Sequence, residues 1–350
     1  MTIKIYKPQL DWDYLDPQMF FDLNGQDYVM LTDPKEYADI VLLNNPAVYN
    51  GKYSGKIILF FEMWHNFENQ WDCLIGKHKN NNKNWYTLTN AIGPVTHPNV
   101  IFNDFLFNRT KAYYSQFPFK HTTRKWYYQS PYGYILPDSK DATFKRKIYL
   151  APNKNHPERP MKFRPQIVNL LKEKFSDIGY IGNVTDDQNL VLHPHGKFPL
   201  LKNIQEVESI NTRDTDIDRY SPPHNEYYKN TFISIYGETI EWGDTIAITE
   251  KTYDPLIRGH FILPFSTDGF IKHLKNLGFK FPDFINYEYD DIRDEQSRFN
   301  HYTQEVYRLL NFNIEDWKQA WNDNLEIIRF NQLMFYEKPY DRVDLLKLFD

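Results

Sequence analysis

The sequence predicts an α/β fold organised as two domains, each built around a mostly parallel β-sheet. Short apolar runs alternate with polar loops and helical segments through the first 140 residues, and the same alternation starts again after residue 140. At 350 residues the chain is also long enough to form two cores of ordinary size. We therefore expect one domain at 1–140, a second at 141–310, and a helical segment at 311–350 that packs back on the first domain.

Buried strands are expected wherever a short, continuous apolar run is bounded by turn residues. In the first half these runs cover 38–45, 56–61, 73–76 and 99–104. In the second half, strands are expected at 146–151, 178–184 and 230–238 and in the apolar run 261–265, with helices at 161–175, 267–279 and 314–335. Residues 184–226 between them form a long polar insertion.

Composition places the chain among soluble globular proteins, because 41% of its residues are hydrophobic and 25% are charged. A net charge of −5 gives no sign of a surface that is basic throughout, as a nucleic-acid-binding protein often has. The single cysteine, Cys73, excludes an intramolecular disulfide and fits a reducing compartment. No stretch approaches 18 apolar residues and the N-terminus lacks a signal-like apolar run. We expect a cytoplasmic location, in the host cytoplasm if the source is viral, without membrane contact. The oligomeric state is not predicted.

The stretch AITEKTYDPLIRGHFILPF, residues 247–265, carries the most chemistry. Thr249 is a good N-cap, which places Glu250 and Lys251 in the first helical turn. Backbone N–H groups at a helix start attract anions such as a diphosphate, and Lys251 adds a positive charge for the phosphates. The Glu250 carboxylate only accepts hydrogen bonds, so it suits two neighbouring hydroxyls of a ribose or sugar. A plain capped surface helix is the alternative, because acids are common at helix starts.

Polar residues in two neighbouring segments favour a binding site. Glu238 follows the apolar strand FISIYG, so it lies at a strand's carboxyl end. The loop PNKNHPER after the strand at 146–151 contains Asn153, Asn155 and Arg159. Arginine can hold a diphosphate through two parallel hydrogen bonds, which lysine cannot do. We predict that these residues bind a ligand together with Thr249, Glu250 and Lys251.

These segments resemble a known family, the alpha-1,3-fucosyltransferases. PNKNHPER resembles their Ser-Asn-x-Asn-x-x-x-Arg segment, and the stretch 225–251 resembles their Phe-Glu-Asn…Thr-Glu-Lys donor signature, although Tyr-Gly-Glu-Thr at 236–239 departs from Phe-Glu-Asn. FFEMWHNFENQWDCLIG at 60–76 is similar to their Gly-Glu-Asn…Asn-Phe…Asp-Tyr-Ala-Ile-Gly stretch and aligns Glu62 with an acceptor-domain carboxylate. The segment from 249 to 299 also resembles glycosyltransferase-like proteins of tailed phages.

The resemblance implies a GT-B fold, in which two Rossmann-like domains face a central cleft. The C-terminal domain would bind a nucleotide-diphosphate sugar (the donor), and the N-terminal domain would bind the acceptor. The implied reaction is inverting transfer to an acceptor hydroxyl by direct displacement. Glu62 is the first candidate for the catalytic base that deprotonates this hydroxyl, and Glu238 is the second. No cofactor is required beyond the donor as co-substrate.

An acceptor surface is predicted in the segment 105–137, which contains no Asp or Glu. Its basic residues interleave with aromatic ones, as at Arg124, Lys125, Trp126 and Tyr127. Aromatic side chains beside basic ones stack on sugars or on nucleobases, so the acceptor is either a glycan or a hydroxymethylated base in phage DNA. An enzyme that acts on such a base must reach it outside the stack. The same composition is also typical of a core with a solvated rim.

Two further patterns leave alternatives open. The run TRDTDIDRY at 212–220 has carboxylates two residues apart, which can chelate Mg²⁺ or Mn²⁺, although the implied fold needs no metal. His193 and His195 lack further ligands at a suitable spacing. Finally, a non-catalytic sugar- or nucleic-acid-binding protein with a decayed nucleotide-sugar domain is the alternative to an enzyme. Arg159, Glu250 and Lys251 are all present, and their presence favours the enzyme.

Overall fold

The computed structural model has the mixed α/β class that the sequence predicts. It describes residues 2–6, 21–23, 25–31, 33, 36–43, 55–62, 85–89, 91–93, 99–104, 107–108, 147–152, 162–184, 190–193, 228, 230–339 and 341–344. The chain divides into two compact units, and each has its own β-sheet. Unit 1 contains residues 1–129 and 338–350, and unit 2 contains residues 130–337.

The elements are as follows, in chain order. The strands are β1 (Ile3–Tyr6), β2 (Phe21–Asp22), β3 (Tyr28–Leu31), β4 (Ala38–Leu43), β5 (Gly55–Glu62), β6 (Trp85–Thr89), β7 (Ala91–Ile92), β8 (Val100–Phe102), β9 (Tyr149–Pro152), β10 (Gly179–Val184), β11 (Leu190–His193), β12 (Ile233–Gly237), β13 (Ile246–Ala247), β14 (Phe261–Phe265) and β15 (Val343–Asp344). The helices of the described residues are α1 (Arg164–Phe175), α2 (Glu250–Ile257), α3 (Phe270–Asn276), α4 (Glu295–Leu310), α5 (Ile314–Asp323) and α6 (Leu325–Glu337). Within this described part of the chain, every helix is too short or too polar to cross a lipid bilayer.

Unit 1 is built on a six-stranded sheet in the order β3-β1-β4-β5-β6-β8, in which every neighbouring pair is parallel. The apolar run of β4 explains its place near the middle, because five of its six residues are buried. Because the strands are parallel, their carboxyl ends meet at one edge. Glu62 is the last residue of β5 and therefore lies at that edge.

Unit 2 is built on a five-stranded sheet in the order β11-β10-β9-β12-β14. The four strands β10, β9, β12 and β14 are parallel, and β11 is an antiparallel addition at one side. All five residues of both β12 and β14 are buried. This continuous burial explains why these segments are apolar runs without alternation.

The core of unit 2 is rich in aromatic rings. α1 buries Ile167 and Leu171 on the face that the sequence periodicity predicts. Phe163, which precedes α1, contacts Phe265 of β14 and Phe299 of α4 at ring-centroid distances of 4.8 and 4.7 Å. These contacts join the start of α1 to the end of β14, and so they stabilise the carboxyl edge of the sheet.

The segment 311–350 is divided between the two units, whereas the sequence led us to expect that it packs on the first domain. α5 and α6 belong to unit 2, because Trp317 and Trp321 of α5 are inserted into its core. The ring of Trp317 stacks near Phe232, with 5.9 Å between centroids. Only the residues after 337 join unit 1, where β15 pairs with β2.

Candidate functional site

The strand order of unit 2 points to one place for a ligand. When the five strands are numbered by their order along the chain, their order across the sheet is 3-2-1-4-5. The direction in which strands are added therefore reverses between β9 and β12. In parallel α/β sheets, ligands bind outside the carboxyl ends of the two strands at such a reversal. β9 is followed by residues 153–161, and β12 is followed by residues 238–249, which lead into α2. The predicted donor residues lie in these two segments and in the first turn of α2.

Glu238 is the centre of a buried hydrogen-bond network directly after β12. Its side chain is fully buried, and each carboxylate oxygen accepts two hydrogen bonds. The donors are Thr249 N at 3.1 Å and Thr252 Oγ1 at 2.6 Å to Oε1, and Thr239 N at 2.9 Å and Thr249 Oγ1 at 2.7 Å to Oε2. Four donors satisfy the hydrogen-bonding capacity of a carboxylate completely. This carboxylate is therefore a fixed anchor for the start of α2, and its burial disfavours the predicted second role as a base that acts on a bound hydroxyl.

Thr249 is the N-cap of α2, as the sequence predicts. Its backbone is extended, with φ −122° and ψ 179°, and its Oγ1 accepts from Lys251 N at 3.3 Å. Its carbonyl accepts from the N–H groups of Thr252 and Tyr253 at 3.0 and 3.2 Å. Three of the first N–H groups of the helix are thus bound to Thr249 itself. A phosphate at this helix start would therefore depend on the lysine side chain more than on these three amides.

Glu250 and Lys251 form the part of the network that is next to solvent. Their side chains are 10% and 13% exposed, and Lys251 Nζ lies 3.5 Å from Glu250 Oε1. Lys251 Nζ also donates to Thr239 Oγ1 at 3.2 Å. An ammonium with two nearby oxygen partners is held in one position and needs little reordering to meet a phosphate. The acid and the base of the Thr-Glu-Lys triplet are therefore side by side in space as well as in sequence.

Tyr236 and Thr252 support Glu238 from within the core. Thr252 Oγ1 gives its hydrogen to Glu238, so it accepts from the Tyr236 hydroxyl at 2.7 Å. Complete burial, followed by the nearby charge of Glu238, raises the pKa of Tyr236 well above 10. The phenol consequently keeps its proton and remains a donor at neutral pH.

The carboxyl end of α2 is fixed as firmly as its start. Gly259 adopts φ +74°, a left-handed conformation that glycine tolerates best. His260 N donates to Pro255 O at 3.0 Å and Gly259 N donates to Leu256 O at 3.2 Å, which is the Schellman pattern. Pro255 lies inside this buried helix, two residues before its end. The eight-residue helix is thus constrained at both ends, between Glu238 at one end and β14 at the other.

A buried arginine and a buried carboxyl group connect the start of α1 to the loop after β12. Arg164 is 3% exposed, and its Nη2 donates to the carbonyl of Glu238 at 2.6 Å. Glu241 is fully buried, its Oε2 accepts from Phe163 N at 3.0 Å, and its Oε1 lies 4.0 Å from Arg164 Nε. Burial raises the pKa of the Glu241 carboxyl to about 7, although the hydrogen bond from Phe163 and the charge of Arg164 oppose that rise.

The structure brings together four of the residues predicted from sequence, namely Glu238, Thr249, Glu250 and Lys251. Glu62 lies at the carboxyl edge of the unit 1 sheet. The other predicted residues fall outside the described part of the chain. They are Asn153, Asn155 and Arg159 of the donor loop, Arg124, Lys125, Trp126 and Tyr127 of the acceptor surface, the Asp-x-Asp run at 212–220, and His195. Among the residues that are described, no three His, Cys, Asp or Glu side chains form a group that could hold a metal ion.

Sequence reasoning missed Arg164, Glu241 and Thr252. Arg164 and Glu241 belong to surface residue types and lie 77 positions apart, so neither suggests burial by itself. One feature of the sequence could have predicted the burial of Arg164. It precedes Pro165 at the first turn of a helix that otherwise follows a regular apolar period, and it falls on the buried face of that helix.

The chain is similar to a solved crystal structure of an alpha1,3-fucosyltransferase, with a TM-score of 0.49 and 11% sequence identity over 93% of this chain and 80% of that chain. No protein-family model matches the chain, and no curated protein matches it. A likeness of this degree does not assign the residues of the site, whose roles rest on the geometry at the carboxyl ends of β9 and β12.

Proposed function

We propose that the protein is a glycosyltransferase of the GT-B class that moves a sugar from a nucleotide-diphosphate donor to an acceptor hydroxyl. The donor would bind in unit 2, at the carboxyl ends of β9 and β12. The transfer would be a direct displacement with inversion, as the motif resemblance implies. No metal ion is needed in this proposal, because side-chain cations neutralise the diphosphate.

One observation supports the proposal above the others. The Thr-Glu-Lys triplet begins a buried helix at the point where the sheet order reverses, and Glu238 holds that helix start through three hydrogen bonds. The donor loop at 153–161 leaves the neighbouring strand β9 at the same edge. A plain capped surface helix, the alternative reading of the triplet, does not fit, because seven of the eight residues of α2 are buried.

Each of the predicted residues would have a separate role in the reaction. Lys251 and Arg159 would stabilise the negative charge that develops on the departing diphosphate, which is usually the largest contribution to such a reaction. Glu250 would accept hydrogen bonds from neighbouring hydroxyls of the donor. Glu238 would keep these groups in position without contacting the reacting atoms. Glu62 of unit 1 would remove the proton from the acceptor hydroxyl.

The acceptor is proposed as either a glycan or a hydroxymethylated base of phage DNA. The acid-free segment 105–137 supports both equally, since aromatic and basic side chains bind sugars and bases alike. Parallel transfer assays with oligosaccharides and with hydroxymethylated DNA would separate them. A donor that binds but is never turned over with either acceptor would instead favour the non-catalytic binding protein.

A thermal-shift screen tests the donor site. The purified protein is heated with UDP-, GDP-, dTDP- and CMP-sugars, and the screen is repeated on Lys251→Ala. A donor at a hundredfold excess over its dissociation constant adds about 2.7 kcal/mol of stability. We expect one nucleotide class to raise the melting temperature of the wild type and to have little effect on Lys251→Ala.

Lys272→Ala is the matched control for this screen. Lys272 is also a lysine in the first turn of a helix of unit 2, but its side chain is exposed and lies on α3. The control variant should respond to the donor as the wild type does. Failure of all four classes to stabilise the wild type, or an equal loss in both variants, would contradict the proposed donor site.

A further inference from the structure

The buried pair of Arg164 and Glu241 is placed so that it controls the candidate donor site without contacting a ligand. Arg164 begins α1, and its guanidinium donates to the carbonyl of Glu238. That carbonyl belongs to the residue whose carboxylate holds the start of α2. A movement of Arg164 would therefore be transmitted to Thr249 through Glu238.

Glu241 is held by the backbone around it and by Arg164. Its Oε2 is bound to Phe163 N, but no hydrogen-bond donor in the described part of the chain reaches Oε1, which is completely buried. Space for Oε1 exists because residue 237 is glycine, since a Cβ at Gly237 would collide with this oxygen. The backbone carbonyl of Glu241 accepts from Arg298 Nη2 of α4 at 3.4 Å.

Few charged groups of the described residues face the Glu241 carboxyl. Arg164 of α1 lies on one side, and Arg298 of α4 contacts the backbone of residue 241. Tyr302 of α4 is also close, since burial and then the charge of Glu241 raise its pKa. The guanidinium of Arg164 is itself shared with the carboxylates of Glu238 and Glu250, which both favour its charged form. An ionised Glu241 therefore shares its buried cation with two other carboxylates, and it accepts a hydrogen bond from Phe163 N.

We propose that Arg164 and Glu241 are positioning residues of the candidate donor site and form a buried clasp that opens when Glu241 loses its proton. The clasp holds the loop after β12 against the start of α1, and so it holds Glu238 and the N-cap of α2. The role in positioning a donor rests on the proposed function. The proton-linked opening does not, because it is a property of the protein without ligand.

The direction of the pH effect follows from linkage. Opening the clasp brings Glu241 into water, where its carboxyl has the ordinary pKa of 4.5, while in the closed state that pKa is about 7. The closed state binds the proton more tightly, so opening becomes easier as the pH rises between these two values. Above about pH 7 the carboxyl is ionised in both states, and the ease of opening no longer changes.

Amide hydrogen exchange, measured without ligand between pH 5 and pH 8, tests the clasp. The amides of Thr249 and Lys251 are both hydrogen-bonded within the network, so they report its opening. After correction for intrinsic exchange, their protection in the wild type should fall by more than about tenfold over this range. In Glu241→Gln, which has the same shape and no titrating carboxyl, the protection should not change with pH. Amides of α5 serve as the internal reference for global unfolding.

Asp290→Asn is the matched control. Burial raises the pKa of Asp290 to about 6, but its carboxylate accepts from the N–H groups of Ile271 and Lys272 at the start of α3 and not from the clasp. This variant should keep the fall in protection at Thr249 and Lys251. A fall that persists in Glu241→Gln, or one that is equal in α5, would overturn the proposal. If Glu241→Gln does not fold, the wild-type measurement alone tests the proposal. Protection of the Thr249 and Lys251 amides that stays constant from pH 5 to pH 8 would contradict the clasp.

Discussion

Both edges of the unit 2 sheet carry a buried polar network, and the two networks differ in charge. At the amino edge, His260 before β14 contacts Ser234 Oγ through Nδ1 at 3.0 Å and the Tyr228 carbonyl through Nε2 at 2.6 Å. The Nε2 hydrogen donates to the carbonyl, which leaves Nδ1 to accept from the hydroxyl. At the carboxyl edge, Glu238, Glu241 and Arg164 are ionisable groups with almost no exposure.

The comparison shows which buried polar residues indicate a site. The amino-edge network joins β12 to β14 and uses a ring and a hydroxyl that satisfy one another, which is a structural arrangement. The carboxyl-edge network places several charges in low dielectric at a reversal of strand order, where ligands bind in such sheets. Charge density and position in the topology distinguish the two, whereas burial alone does not.

The largest effect is expected from Glu238→Ala at the carboxyl edge. The substitution leaves the hydroxyls of Thr249 and Thr252 and two backbone N–H groups without their common acceptor inside the protein. We expect the free energy of unfolding to fall by about 3 kcal/mol or more, measured by denaturant titration. A loss below about 1 kcal/mol would mean that Glu238 does not organise this edge.

The second effect is a pH dependence of stability that Glu241→Gln should reduce. The folded-state pKa of Glu241 is raised to about 7 from 4.5, so its contribution to stability is complete below pH 4.5 and is lost as the pH rises to 7. In the wild type the free energy of unfolding should decline across this window by at most about 1.4 kcal/mol per pH unit. Denaturant titrations at pH 5, 6, 7 and 8 should show a smaller decline in Glu241→Gln.

Asp290 contributes a decline with the same sign, but in a lower window, from 3.8 to about 6. Asp290→Asn should therefore flatten the curve only below pH 6 and leave the decline between pH 6 and pH 7. An unchanged curve in Glu241→Gln would show that this carboxyl titrates normally, against the geometry described above.

Much of the architecture was predictable from sequence, because it depends on local patterns. The apolar runs predicted the bounds of β4, β5, β12 and β14 to within three residues, and the apolar period predicted α1. The helix predicted at 314–335 is two helices, α5 and α6, since Asn324 leaves helical geometry with φ −112° and ψ 17°. The sequence has no proline or glycine at this position that would predict the break between the two helices.

The site was only partly predictable for a physical reason. Thr249, Glu250 and Lys251 are adjacent, and helix capping is a local rule, so a short window was sufficient to identify them. The burial of Arg164 depends on Glu241, which becomes a neighbour only when β9 and β12 pair. Pairings between distant segments decide which charges are buried, and a single sequence does not record those pairings.

A moderate effect is expected from Gly237→Ala. The added methyl group would collide with Glu241 Oε1 and lie 3.3 Å from the Cβ of Arg164. Overpacking of this kind lowers the free energy of unfolding by about 1–3 kcal/mol. In the Glu241→Ala background the same change should be less destabilising, because the colliding oxygen is gone. Equal effects in both backgrounds, measured by denaturant titration, would contradict the described packing.

The smallest effect is expected at the amino edge. Ser234→Ala removes one neutral hydrogen bond to His260 Nδ1 and should lower the free energy of unfolding by about 1 kcal/mol. The response to a nucleotide-sugar in the thermal-shift screen should be the same as in the wild type. A selective loss of that response would show that the amino edge takes part in binding, and the comparison between the two edges would fail.

The central claim is that the carboxyl edge of unit 2 binds a nucleotide-diphosphate sugar. The most direct test is a hydrogen-exchange footprint with each of the four donor classes at saturating concentration. We predict that one class slows exchange in 153–161 and in 238–257 and leaves the amino-edge segments 228–234 and 258–262 unchanged. Slower exchange confined to the amino edge, or none with any donor, would contradict the account.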